Sequence, residues 1–106
     1  MQNEIYHLSE QLGRALLQKK ATVTTAESCT GGGVAQAITS VAGSSAWFNC
    51  GYVSYANSAK QQMLGVAAEL LETHGAVSEL VVISMVKGAA QRAWADYAVA
   101  ISGIAG

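Results

Sequence analysis

Between positions 21 and 39 a short β-branched run, a glycine-rich turn and a helical stretch follow one another. The run 21–26 is rich in threonine, which predicts a strand. Ser28 and Cys29 then lead into a turn that ends in three successive glycines, and residues 34–39 have a helical pattern. A strand that passes through a tight turn into a helix is typical of layered α/β domains. We therefore expect an α/β fold.

Helices and strands alternate through the rest of the chain. The run 97–102 is almost wholly apolar, which predicts a central strand covered on both faces, and the aromatic and β-branched run 47–55 predicts another strand. Asn57 and Ser78 are expected to cap two of the helices. The connections are long enough for crossovers, so we expect one domain over 1–106. The predicted helices cover residues 4–18, 34–39, 57–64, 67–73 and 78–94.

Composition excludes several classes of protein. Of the 106 residues 51% are hydrophobic and 12% charged, and the net charge is −1, so nucleic acid is not an expected partner. No stretch has the roughly 18 uncharged apolar residues of a membrane span, and the polar N-terminus is not a signal peptide. Two cysteines favour a reducing, cytoplasmic location. No cluster has metal-ligand spacing, so no metal or cofactor is expected, and the low charge with an exposed central strand favours a homodimer.

The glycine-rich turn is the best local candidate for a chemical site. Backbone N–H groups at the beginning of a helix can bind a phosphate or a developing oxyanion, although such a turn also serves simply to pack a helix on a sheet. Ser28 lies at the junction of strand and turn, where it is either an N-cap or, with an adjacent base, a nucleophile. Neither His7 nor His74 lies beside a suitable acid, which disfavours a Ser-His-Asp triad.

Lysine is the remaining candidate for a base, provided that its surroundings lower its pKa. Lys60 lies one turn into the helix after the second predicted strand, which Tyr55 ends. If the first two strands are parallel, Ser28 and Lys60 reach the edge at which open α/β sheets bind ligands. A solvated helix lysine is the alternative for Lys60. A second Ser-x-x-Lys match, Ser84 to Lys87, lies in mid-helix and we interpret it as chance.

Several ordered motifs resemble the C-terminal domain of the CinA family, the nicotinamide-nucleotide amidases. They begin at Thr25 and extend to Gly106, so the resemblance covers almost the whole chain and is far more specific than one glycine loop. The motifs are TAESCTGG at 25–32, GSS at 43–45 with Phe48 and Gly51, YANSAK at 55–60, LGV at 64–66, HGAVSE at 74–79 and SGIAG at 102–106.

The resemblance implies a three-layer α/β/α domain that hydrolyses the carboxamide of nicotinamide mononucleotide to nicotinate mononucleotide and ammonia. It implies that a serine and a lysine carry the reaction without a metal. By motif, Ser28 is the nucleophile, Lys60 its base and Tyr55 a supporting hydroxyl. The substrate-binding positions carried over are Thr30, Gly31, Gly32, Ser102 and Gly103.

The chain departs from the family pattern at three places. Ser58 stands where an acid is usual, and Gly33 stands where a larger apolar residue is common. Family domains also continue past the last motif with further strands, a helix and a substrate-contacting arginine. We therefore expect a truncated domain that keeps the catalytic pair and lacks part of the substrate pocket. The alternative is a catalytically silent member that acts as a nucleotide-binding or interaction module.

Overall fold

Three parallel strands and five α-helices form the part of the chain described by the computed structural model, residues 2–104. The α/β class expected from the sequence is confirmed. The strands are β1 (Val23–Glu27), β2 (Tyr52–Val53) and β3 (Tyr97–Ile101). The helices are α1 (Gln2–Lys19), α2 (Gly33–Thr39), α3 (Asn57–Leu64), α4 (Ala68–His74) and α5 (Glu79–Ala93), with a 3-10 turn at Ser44–Ala46.

Strand β1 lies at the centre of the sheet, whose order is β2-β1-β3. It pairs in parallel with both neighbours, so that Ala26 lies opposite Tyr52 on one side and Ala100 on the other. All five residues of β1 are buried. Parallel strands begin at one edge of a sheet and end at the other, so the residues after each strand meet at a single edge.

Each face of the sheet carries a hydrophobic core under a layer of helices. On one face α3, α4 and α5 pack over Ala26, and on the other α1 and α2 pack over Val23 together with Trp47. The order of layers is therefore α/β/α. The first core contains Ala26, Leu64, Val66, Leu71, Val81, Met85 and Ala89, and the second contains Leu16, Ala21, Val23, Ile38 and Trp47.

The second strand is much shorter than the prediction of 47–55, which is wrong in its extent. The preceding chain still runs beside β1, where the Trp47 carbonyl accepts the N–H of Val23 at 2.9 Å. The Cys50 carbonyl, however, accepts a hydrogen bond from Thr24 Oγ1 at 2.8 Å. The regular ladder with β1 is confined to the two residues of β2.

The position predicted for the third strand is also wrong. Within residues 2–104, β3 pairs only with β1 and forms the edge of the sheet. Ala100 packs against one core, but Tyr97 and Val99 on the other face are exposed. The central strand is β1 instead, and its two threonines made it look less apolar than β3.

The two predicted helix caps have different outcomes. Ser78 caps α5, and its Oγ accepts the N–H of Val81 at 3.3 Å, so this prediction is confirmed. Asn57 is already the first residue of α3, and Ala56 occupies the N-cap position without a side-chain hydrogen bond. The cap predicted for Asn57 is therefore wrong by one residue.

An apolar groove of about 540 Å³ lies beside the exposed face of β3. Helix α1, the longest helix among residues 2–104, forms one wall with Ile5, Leu8 and Leu12, and β3 contributes Tyr97 and Val99. No helix in this part of the chain combines the length and the apolar character needed to cross a membrane.

Helices α3 and α5 approach each other closely at Gly88. A Cβ atom at this position would collide with the backbone carbonyl of Leu64, the last residue of α3. Arg92, one turn further along α5, donates to the same Leu64 carbonyl at 3.2 Å. The missing side chain at Gly88 thus sets the separation between α5 and the helix that carries Lys60.

The substitution Gly88→Ala is expected to lower the free energy of unfolding by about 1–3 kcal/mol, because the two helix backbones must separate. Denaturant unfolding followed by circular dichroism measures the change. Gly33→Ala is the control, since a Cβ there meets no atom within 4 Å. It is expected to raise the stability by less than about 1 kcal/mol. An equal response of the two variants would contradict the close packing at Gly88.

Candidate active site

Ser28 and Glu27 are neighbours in the sequence but point into opposite layers, because successive side chains of a strand alternate. Glu27 reaches the N-terminus of α2. Ser28 lies on the same side as Ala26, which belongs to the core under α3 and α5. The N–H of Ser28 still donates to the Ile101 carbonyl of β3 at 3.0 Å, so its backbone remains fixed to the sheet.

Lys60 meets Ser28 from the helix on that side. Its side chain is only 1% exposed, and Nζ donates to Ser28 Oγ at 3.3 Å and to the Tyr55 carbonyl at 3.0 Å. Lys60 forms no ion pair with the described residues, because the one salt bridge among residues 2–104 joins His7 to Glu10. The first two strands are therefore parallel, as predicted, and Ser28 and Lys60 lie at the same edge of the sheet.

Burial lowers the pKa of Lys60 below its ordinary value of 10.5, and the nearby Cys29 thiol raises it by a smaller amount. A lower pKa increases the fraction of neutral amine near neutral pH, and this is the form that accepts a proton. The surroundings of Lys60 thus favour the protonation state that a general base requires.

The lowered pKa predicts that the stability depends on pH. Between that pKa and 10.5 the unfolded chain binds more protons than the folded chain, so the free energy of unfolding should rise with pH across this interval. The rise is about 1.4 kcal/mol for each unit by which the pKa is lowered.

Denaturant unfolding between about pH 7 and pH 10 measures this rise in the unsubstituted chain and in Lys60→Met, which should lack it. Lys87→Met removes an exposed lysine of α5 and is expected to keep it. Parallel stability curves for the unsubstituted chain and Lys60→Met would contradict the prediction.

Tyr55 reaches the pair through its backbone. Its carbonyl accepts the hydrogen bond from Lys60, whereas its side chain is 66% exposed. The hydroxyl has no hydrogen-bond partner within the described residues. The supporting role predicted for this hydroxyl stays a prediction, and the contact with the Tyr55 carbonyl has no counterpart in the sequence pattern.

The glycine-rich loop is held from the inside by Glu27, whose side chain is fully buried. Its Oε1 accepts hydrogen bonds from Thr30 Oγ1 at 2.6 Å and from the N–H of Val34 at 2.8 Å. Its Oε2 accepts the N–H of Ala35 at 3.0 Å. An acid at the end of a buried strand, directly before a glycine turn and a helix, is the signal in the sequence for this contact.

Glu27 is charged at neutral pH despite its burial. Burial alone would raise its pKa, but hydrogen bonds from Thr30 and from the backbone of Val34, Ala35 and Gly32 together lower the pKa below the ordinary value of 4.5. The N-terminus of a helix also favours a negative charge. The carboxylate therefore neutralises the positive end of α2 from within the protein.

The carboxylate leaves few N–H groups of the loop free. Gly31 and Gly33 donate to the carbonyls of Ser28 and Thr30, both at 3.1 Å. Within residues 2–104, the N–H groups of Cys29 and Thr30 have no acceptor. Binding of substrate by Thr30, Gly31 and Gly32 stays a prediction, and the first turn of α2 is already occupied.

The other predicted substrate-binding residues lie at the end of β3. Ser102 Oγ donates to the Ala76 carbonyl at 2.9 Å, and a Cβ at Gly103 would lie 3.2 Å from Cys29 Sγ. β3 thus brings Gly103 beside the loop, while the Ser102 hydroxyl is held by the segment before α5. Ala105 and Gly106 of the last motif lie outside the described residues. No group of His, Cys, Asp and Glu within 2–104 could hold a metal ion.

These features define a parallel α/β domain with a buried serine–lysine pair at the carboxyl edge of its sheet. Residues 5–106 match the family model of the CinA C-terminal domain. The chain belongs to this family, as its motifs indicate.

Several relatives are similar over almost the whole chain. Nicotinamide-nucleotide amidohydrolase PncC of Escherichia coli K12 is 64% identical over 104 residues, which are 98% of this chain and 63% of that protein. The PncC protein of Pseudomonas putida is 56% identical over 99 residues, which are 93% of this chain and 62% of that protein. The chain therefore spans less than two thirds of the length of these curated relatives.

Solved structures of the same superfamily have the same fold. The competence/damage-inducible protein CihA of Agrobacterium tumefaciens superposes with a TM-score of 0.94 at 47% identity, over 96% of this chain and 62% of that protein. The competence damage-inducible protein A of Klebsiella pneumoniae superposes with a TM-score of 0.94 at 42% identity, over 96% and 63%.

Proposed function

We propose that this chain carries the catalytic pair of an amidohydrolase that converts nicotinamide mononucleotide to nicotinate mononucleotide and ammonia in pyridine nucleotide recycling. The observation that carries this proposal is the buried amine of Lys60, 3.3 Å from Ser28 Oγ and without a carboxylate partner. The substrate is taken from the relatives named nicotinamide-nucleotide amidohydrolase.

The reaction begins with the transfer of the Ser28 proton to Lys60. As Nζ accepts the proton, Oγ attacks the carboxamide carbon and the carbonyl oxygen takes up negative charge. The N–H groups of Cys29 and Thr30, free among the described residues, are the donors proposed for this oxyanion. The ammonium of Lys60 then gives its proton to the amide nitrogen, the C–N bond breaks, and ammonia leaves.

Water completes the cycle by the same groups in reverse. Lys60 accepts a proton from water, the hydroxide attacks the acyl carbon, and Lys60 returns the proton to Ser28 Oγ as the ester bond breaks. Each step needs a neutral amine at its start. The burial that lowers the pKa of Lys60 increases the fraction of the amine in this state.

The remaining predicted residues are assigned to the substrate. Tyr55 has an exposed side chain, so its hydroxyl is proposed as the supporting group that contacts the nucleotide. Thr30, Gly31, Gly32, Ser102 and Gly103 are proposed as substrate-binding positions around the same edge of the sheet. A homodimer in the cytoplasm is part of this proposal.

Ammonia release from nicotinamide mononucleotide tests the activity. Ser28→Ala and Lys60→Met are each expected to lower turnover at least about 1,000-fold, because each removes one half of the pair. Ser84→Ala and Lys87→Met are the matched controls, since they alter the chance Ser-x-x-Lys match on α5 and should leave turnover unchanged. Undiminished release by Ser28→Ala would contradict the mechanism.

A hybrid separates the activity of the pair from the completeness of the pocket. It places this chain in the Escherichia coli relative in exchange for the aligned region. Turnover by the hybrid but not by this chain would show that the part of the relative outside the aligned region contributes to substrate binding. Nucleotide binding measured by calorimetry, with no turnover by either protein, would favour the silent binding module instead.

Tyr55→Phe tests the proposed contact of the hydroxyl with the nucleotide. It keeps the backbone carbonyl that accepts the bond from Lys60, so the pH dependence of kcat should not change. The value of kcat/KM is expected to fall about tenfold, the effect of one lost hydrogen bond. Steady-state kinetics of the hybrid measure both quantities, and an unchanged kcat/KM would refute the assignment.

A further inference from the structure

Glu27 is a buried anion without a cationic partner. Its carboxylate is fully buried, and no Lys, Arg or His side chain of the described chain forms an ion pair with it. Its partners are instead a hydroxyl and backbone N–H groups, all from the loop after Ser28 and the first turn of α2. Carboxylates in such networks form strong hydrogen bonds and hold their donors in one geometry.

The backbone of Glu27 is fixed as firmly as its side chain. Its carbonyl accepts the N–H of Ser54 at 2.9 Å, and Glu27 lies in register with Val53 and Ile101. The residue is thus anchored to both neighbouring strands, while its carboxylate holds the loop that begins one residue later. Ser28 lies between the anchored residue and the held loop, so its position follows from both.

We propose that Glu27 is the positioning residue of the Ser28–Lys60 pair: its carboxylate folds the loop against the sheet so that Ser28 Oγ stays within reach of Lys60. This inference rests on the proposed function, because it gives Ser28 the part of a nucleophile. The action is geometric, since Glu27 contacts neither Oγ nor Nζ and faces the opposite layer of the domain.

The test compares the unsubstituted chain with Glu27→Gln, which keeps the size of the side chain but turns a donor toward the loop N–H groups. Two quantities are measured. Amide hydrogen exchange at Val34 and Ala35 reports whether the loop is held. The rate at which an alkyl fluorophosphonate labels Ser28, followed by mass spectrometry across pH, reports whether the serine is in a reactive position without needing the nucleotide.

In Glu27→Gln we expect amide exchange at least about tenfold faster and labelling of Ser28 at least about tenfold slower. The pH midpoint of labelling, which reports on Lys60, should not move. Glu79→Gln is the matched control, because it removes an exposed acid from the first turn of α5 and should change neither quantity. Thr30→Val removes one donor to Glu27 from an exposed position, and we expect smaller changes in the same directions.

Three results would overturn the proposal. Labelling at an unchanged rate in Glu27→Gln, or in Thr30→Val if the first variant does not fold, would show that the loop does not position Ser28. A shifted pH midpoint would make Glu27 an electrostatic partner of Lys60 instead. If Ser28 of the unsubstituted chain does not react with the fluorophosphonate, there is no reactive position for Glu27 to maintain. Labelling of Ser28 with no ammonia release by either this chain or the hybrid, by contrast, would refute only the proposed function.

Discussion

The central strand β1 is the constraint on which the rest of the domain depends. It is buried along its whole length and pairs on both sides, so its position leaves no freedom to the residues that follow it. Because side chains alternate along a strand, two consecutive polar residues then point into different layers. Glu27 enters the layer of α2, and Ser28 enters the layer of α3. A strand of five residues thereby places both the held loop and the serine–lysine pair.

The two buried ionisable groups of the site form hydrogen bonds with neutral partners and lie on opposite faces of the sheet. Glu27 accepts only from a hydroxyl and backbone N–H groups, and Lys60 donates only to a hydroxyl and a backbone carbonyl. Direct pairing would stabilise the ammonium and raise the pKa of Lys60, which would remove its capacity to accept a proton. For the proposed reaction, the separation of the two groups into different layers is therefore a requirement. The hydrogen bonds to neutral partners allow both ionisable side chains to remain buried without an ion pair.

Local pattern was sufficient for most of the fold and for the two principal residues of the site. Helical spacing predicted α1, α4 and α5 closely, and strand order along the chain placed Ser28 and Lys60 at one edge. The burial of Lys60 was not evident, although Leu64, four residues later, marks the buried face of α3. The family motifs favoured a base over a solvated lysine at position 60. Motifs alone assigned no contact to Glu27, since its partners form only when the loop has folded.

Two predictions were wrong because contacts between distant residues decided the outcome, and one contact of the site was not predicted. The segment before β2 accepts a hydrogen bond from a threonine hydroxyl of β1, and no pattern within 47–55 contains that information. The apolar run of β3 is typical of a central strand, yet strand order is set by pairing and not by composition. The carbonyl of Tyr55 contacts Lys60 because the chain turns sharply between β2 and α3. Side-chain identity carries no signal for that backbone contact.

The edge position of β3 leaves the backbone groups on one side of this strand without a strand partner among residues 2–104. On the side of β2 the ladder is only two residues long, but β3 presents five successive residues with no strand beyond them among residues 2–104. Its sequence, Tyr-Ala-Val-Ala-Ile, contains neither a charge nor a proline, the two devices that commonly protect an open edge. A further strand can add there without rearrangement of the domain.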